Sequence, residues 1–291
     1  MKPVLRSLAA AVLASMAFAA PASAEIFFSD TYLSIRNLWQ DKQPGYAGNV
    51  DEIAGNIAYA NAWTYGSNFV SLDLEQFGHQ DPANILGYKG QHANADSFEL
   101  YAVFRTVLSG NKISGTNNFS FGPIKDIGLE FGLDLDTQDD QFASYKRLIT
   151  FGPQFSIAVP KGFWTISVHL SKEWNTSAFS PTGGQSFDVT PEFETAWLFP
   201  FSVGPVPLKF TGFANIILPK GKGYVGASPT GTEILAHPKL MVDVGQLMFG
   251  KPNTIDAGVG YEYWYNKFGN QAKYLPGTQQ NAFFVEAGYH F

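Results

Sequence analysis

The last eleven residues, Asn281-Ala282-Phe283-Phe284-Val285-Glu286-Ala287-Gly288-Tyr289-His290-Phe291, decide the fold. Phe283, Val285, Ala287, Tyr289 and Phe291 share one parity, and Phe284, Glu286 and His290 share the other. Successive side chains of a strand point to opposite faces, so this segment presents one wholly apolar face and one that carries charge.

The same period runs back through the chain. Phe98, Leu100, Ala102, Phe104 and Leu108 alternate with Glu99, Tyr101, Val103 and Arg105. Ile127, Leu129, Phe131, Leu133 and Leu135 alternate with Gly128, Glu130, Gly132 and Asp134. Trp164, Ile166, Val168 and Leu170 alternate with Ser167 and His169, and Ile255, Val259, Tyr261, Tyr263 and Tyr265 with Asp256, Glu262 and Trp264. No segment of comparable length after residue 24 has a helical period. Twelve strands are expected, at residues 30–38, 56–65, 69–77, 97–108, 126–136, 145–159, 163–174, 189–199, 208–218, 233–244, 254–265 and 281–291.

Many of these runs reach the ~9–11 residues that a tilted membrane strand needs, against ~5–6 for a soluble one. Their connections mostly alternate between long polar loops and tight joins such as Gly66-Ser67-Asn68 and Pro160-Lys161-Gly162. The fold class expected is therefore all-β, a transmembrane antiparallel β-barrel of 12 strands with short periplasmic turns and long outer loops. Two connections fit less well: 109–123 is long for its side and 137–144 is short for its own. The terminal aromatic strand, with Tyr289 and Phe291, resembles the signal that such barrels present to their assembly machinery.

Composition agrees. The 291 residues hold no cysteine, 15% aromatic and 15% charged residues, and the mean hydropathy is −0.06. Absent cysteine removes thiol nucleophiles and disulfide frameworks. Lys2 and Arg6, the apolar run 7–20 and Ala22-Ser23-Ala24 read as a signal peptide over 1–24, with the barrel at 25–291 and export to the cell outer membrane. Removing that leader takes the formal net charge from −6 to −8, a poor basis for binding nucleic acid through its phosphates.

With the apolar parity toward lipid, the other parity faces a lumen. It holds Asp73, Glu75, Glu99, Arg105, Glu130, Asp134, His169, Glu192, Glu194, Lys209, Asp243, Glu262, Glu286 and His290, an acidic excess favouring neutral or cationic solutes. It also holds Phe69, Phe77, Tyr101, Phe213, Trp264 and Phe284, on which a flat solute could stack. Cross-strand charge ladders and simple packing are the competing explanations for these two sets.

Three further features point to a family. Phe119-Ser120-Phe121-Gly122-Pro123-Ile124-Lys125-Asp126, the stretch Gly260-Tyr261-Glu262-Tyr263-Trp264-Tyr265-Asn266-Lys267-Phe268-Gly269 and the Phe-ending last strand resemble the nucleoside-specific outer-membrane channels of the Tsx type, including their OmpK relatives. The likeness extends over the mature chain in length, strand count and loop order. It implies a monomeric twelve-stranded barrel with a narrow channel that takes nucleosides, and it marks the long join that holds Phe119 to Asp126 as a family feature. No binding residue is carried over from it.

Other functions have little support. His169 lies between Ser167 and Ser171 on one face, but no G-x-S-x-G is present and no catalytic residue is assigned. There is no H-E-x-x-H, and Asp134-Leu135-Asp136-Thr137-Gln138-Asp139-Asp140 lacks the Gly and closing Glu of a calcium loop, so neither metal nor other cofactor is assigned. The alternatives kept are a channel for another small solute and a structural or receptor barrel with a closed lumen. The partners expected are a small solute, outer-membrane lipid and the barrel-assembly machinery.

Overall fold

The computed structural model describes residues 24–78, 97–138, 144–176, 184–223 and 228–291. Apart from Ala24, the expected leader lies outside the described residues, as do Asp139 and Asp140 of the acidic loop.

The strands are β1 (Ile26–Asp41), β2 (Val50–Trp63), β3 (Gly66–Phe77), β4 (Phe98–Ser109), β5 (Ile124–Gln138) and β6 (Tyr145–Ile157). They continue with β7 (Phe163–Thr176), a three-residue β8 (Gly184–Ser186), β9 (Thr190–Val203), β10 (Val206–Ile217), β11 (Glu233–Asp243), β12 (Ile255–Tyr265) and β13 (Gln279–His290). All pairings are antiparallel. β1 joins β13 from Tyr32↔His290 to Trp39↔Phe283, and β6 joins β7, so the sheet closes into a barrel of twelve staves. β8 is an appendage on the loop end of β7. Closure pairs the backbone groups that would otherwise cost several kcal/mol each in hydrocarbon.

Burial is inverted relative to a soluble protein. On β13 Phe283 is 63% exposed and Glu286 is 4% exposed. The exposed parity elsewhere carries Ile35, Ile57, Phe131, Phe151, Leu170, Phe210, Leu240 and Val259, and Phe131 and Phe151 pair across the β5–β6 ladder with ring centroids 4.9 Å apart. An apolar outer surface with its polar groups turned inward is stable only where the outer surface meets lipid. The buried apolar cluster sits in the bore, where Leu38, Ala282 and Phe284 meet at the loop end.

One end of the barrel has the short joins, including Thr64-Tyr65 and Gly204-Pro205. Two helices that the periodicity did not predict also lie there. α1 (Gly110–Ser114) is capped by the Ser109 hydroxyl and α2 (Val244–Phe249) by the Asp243 carboxylate. Both are too short to show a hydrophobic period, and left-handed Gly115 and Gly250 end them. α1 fills the long connection that fitted poorly with its side. Lys112 of α1 donates to the carbonyls of Trp63 and Gly66 at 3.0 and 3.2 Å, and loss of water there lowers its pKa.

Several strand boundaries also differ from expectation: β1 runs from Ile26 to Asp41 rather than over 30–38, and β3 starts at Gly66, inside the expected join. β2 starts at Val50 rather than near 56, because Glu52 turns inward and lets an acidic segment pair with β1. β9 runs on through Pro200 to Val203, paired with β10 throughout. β8 lies within a segment expected to be loop.

Candidate functional site

The bore is built from the inward parity of the staves, and its polar groups fall into tiers along the barrel axis. At the turn end Lys209 of β10 donates to both oxygens of Asp256 on β12 at 2.9 Å. His290 of β13 lies 2.9 Å from Asp30 and 3.1 Å from Asp256, joining β13 to β1 and β12.

Two arginines dominate the middle. On β1, Arg36 reaches over β2 to Asp73 at 2.6 Å and Glu75 at 3.0 Å, two carboxylates of β3. On β4, Arg105 donates to Asp134 of β5 at 2.5 Å and, through Nε and Nη2, to Oε2 of Glu194 on β9 at 3.1 and 2.9 Å. β5, β6 and β7 lie between β4 and β9 in the ring, so this guanidinium ties distant walls together. Glu130 of β5 accepts from Ser167 at 2.5 Å and Gln154 at 2.8 Å, and its Oε2 lies 3.2 Å from His169 Nε2. Glu192 sits beside them, buried, opposite His169 in the β7–β9 ladder.

Across the bore, His237 Nδ1 lies 2.9 Å from Glu262, which also accepts from Gln280 at 2.7 Å. Glu286 accepts from Lys239 at 2.7 Å and from the Tyr32 hydroxyl at 2.9 Å. At the loop end two lysines enter from connections rather than strands. Lys267 donates to Asp41, Gln280 and the Lys42 carbonyl at 3.2, 2.8 and 2.7 Å. Burial would lower the pKa of this ammonium, but Asp41 and Glu262 outweigh that and raise it. Lys220 pairs with Glu173 and lies 3.7 Å from Glu233.

The expected lumen residues divide by what they do. Arg105, Glu130, Asp134 and His169 converge in one cluster, and Glu262 and Phe284 belong to the opposite wall with His237. Lys209 stands apart at the turn end. Glu99 is buried, facing Glu75 across the β3–β4 ladder. The Tyr101 hydroxyl donates to Asp134 at 3.3 Å and accepts from Lys146 at 3.0 Å, so the ring is fixed in the wall. Trp264 is fixed too, donating from its indole to Glu233 at 2.9 Å beneath the Lys267 ammonium. Phe284 is fully covered, 4.5 Å from the His237 ring.

Phe213 is different. Its inward ring lies nearly parallel to His237, 5.4 Å away and tilted by 10°, yet it remains 37% exposed. One face therefore borders accessible space in the bore. Asp243, expected to line the lumen, instead spends its carboxylate on the amides of Gln246 and Asn253 at 2.8 and 2.7 Å, as the cap of α2. Tyr289 and Phe291 point outward, edge to face at 4.9 Å.

Sequence reasoning missed Arg36, Lys146, His237 and Lys239, although their parity was available, and Lys220 and Lys267, which no strand pattern covers. It also missed the inward carboxylates Asp41, Glu52, Asp136, Glu173, Glu233 and Asp256, so the acidic excess of the bore persists despite these cations. Ser167 and His169 both turn to Glu130 rather than to each other, so they do not form a nucleophile–base pair.

No protein-family model matches the chain. No curated protein matches it in sequence. Among solved structures it is similar to an outer-membrane channel from Pseudomonas putida F1, at 7% identity and a TM-score of 0.44, covering 94% of this chain and 100% of that one. It is also similar to the NanC porin, at 8% identity and 0.42 over 88% and 98% of the two chains, and to the KdgM porin, at 10% and 0.41 over 89% and 99%.

Proposed function

We propose that the chain is an outer-membrane channel through which small polar solutes diffuse passively, with nucleosides as the substrate class. The observation that carries this reading is the half-open Phe213 ring, backed by His237 and set among carboxylates. A base stacked on such a ring gains ~1–3 kcal/mol, by analogy with aromatic grooves that bind single strands. Sugar hydroxyls would find acceptors in the neighbouring carboxylates. The remaining acidic excess favours neutral and cationic solutes over anions. Binding this weak speeds entry without trapping the solute, and the concentration gradient alone drives transit.

In this reading the turn end faces the periplasm and the loops face outward, residues 1–24 are removed on export, and the barrel works as a monomer. Phe291 and Tyr289, outward on the closing strand, serve recognition by the assembly machinery. Deleting Phe291 should cut the yield of heat-modifiable barrel in membranes while leaving solute affinity of the assembled fraction unchanged.

The direct test is single-channel conductance in planar bilayers with added uridine or adenosine. Block at micromolar to millimolar nucleoside, absent with free ribose and weakened by Phe213→Ala, supports the proposal. Open-channel current indifferent to nucleosides but sensitive to another solute class would keep the channel and replace its substrate. A second reading, a receptor or structural barrel with a closed bore, draws on the Arg105 tie and the two loop lysines. It expects no solute-dependent current at all.

A further inference from the structure

We propose that His169, Glu192 and Glu194 bind a divalent transition-metal ion of the Zn²⁺ type inside the bore, between β7 and β9. His169 stands directly opposite Glu192 in the ladder, and Ser167 opposite Glu194, so the three residues share one face. One ligand atom from each lies within 4.8 Å of the other two. That spacing needs only a modest inward turn of the side chains to meet metal bonds of about 2.0–2.2 Å.

A second, independent observation points to a ligand. Glu192 is 1% exposed, and neither of its carboxylate oxygens has a hydrogen-bond partner. A buried carboxylate left in that state is costly unless something neutralises it. Its neighbours aggravate the problem, because Glu130, Asp134 and Glu194 crowd the same region around a single guanidinium. His169 is also 1% exposed, and its Nε2 approaches Glu130 Oε2 at 3.2 Å without an aligned hydrogen bond.

The remaining contacts leave the required atoms available. Both contacts of Arg105 with Glu194 fall on Oε2, which frees Oε1 for the ion. With Nε2 3.2 Å from Glu130 Oε2, Nδ1, which has no hydrogen-bond partner, is left as the metal ligand. A metal-bound histidine usually gives its second nitrogen to a carboxylate in this way, which makes Glu130 a positioning residue. Gly152 of β6, opposite Glu130 in the β5–β6 ladder, lets β6 and β7 approach closely, since a Cβ there would sit 2.0 Å from the Val168 carbonyl oxygen. One imidazole and two carboxylates suit a borderline ion such as Zn²⁺, with a fourth position open to water.

The test is Zn²⁺ uptake by the full barrel purified in detergent, measured against a chromogenic chelator and checked by elemental analysis. One equivalent per chain is expected, with affinity falling by more than about tenfold in His169→Ala and Glu192→Gln and by about tenfold or more in Glu130→Gln. His290→Asn, which alters a histidine outside the cluster, should keep full affinity. Heat-modifiable migration on gels confirms that each variant is folded, and Glu192→Gln preserves side-chain volume if His169→Ala does not assemble. Failure of the folded barrel to take up stoichiometric Zn²⁺, or uptake unchanged in His169→Ala and Glu192→Gln, overturns the proposal. Displacement by equimolar Ca²⁺ would overturn the choice of a transition metal. The readout is metal content rather than current, so its failure leaves the channel proposal standing.

Discussion

Arg36 and Arg105 are both arginines of one bore, the first paired with two carboxylates and the second with Asp134, Glu194 and, at 3.8 Å, Glu130, yet they do different work. Arg36 bonds Asp73 and Glu75, which are two residues apart on one strand, so it braces a single patch of wall. Arg105 bonds Asp134 on the neighbouring stave and Glu194 far round the ring, so it spans the lumen. The planar fork allows either use, and which one results depends on where the carboxylates are supplied. A brace leaves the passage clear, whereas a tie partly obstructs it. The tie also leaves Glu192 with no cation of its own.

That contrast can be broken by substitution. Arg105→Ala should have the largest effect, about 3–5 kcal/mol off barrel stability in urea titrations, because it leaves Asp134, Glu194 and nearby Glu130 in the interior without this cation. The assembled fraction should also show higher and more cation-selective conductance. Arg36→Ala should cost less, about 1–3 kcal/mol, with conductance near the parent value. Equal losses in both variants, or a larger current change from Arg36→Ala, would erase the distinction. Arg105→Lys should lose less than Arg105→Ala, about 1–2 kcal/mol, since a lysine keeps the charge but cannot hold Asp134 and Glu194 together as the fork does.

Most of the architecture was legible because the barrel imposes one rule on every stave. Leu129, Glu130 and Phe131 alternate so sharply that a shift of one residue would put a carboxylate into lipid. The rule fails where the chain leaves the wall. Ser109 and Asp243 start helices of five and six residues, too short for any period to register. Lys220 and Lys267 enter the bore from connections, where alternation says nothing about direction. The site was legible in membership but not in geometry. Parity placed Glu130, His169 and Glu192 inside, but only register puts His169 beside Glu192, and only the coordinates show which charges are already engaged. Tyr101 and Trp264 illustrate the same gap. Their inward parity is plain in sequence, but their engagement by Lys146 and Glu233 is not.

Lys220 and Lys267 have a consequence for the connections that carry them. Each is rooted in a surface connection but has its ammonium buried among wall carboxylates. A force that lifts either connection must draw a latch out of its keyhole. The exterior of the barrel and the entrance of its bore therefore move as one part.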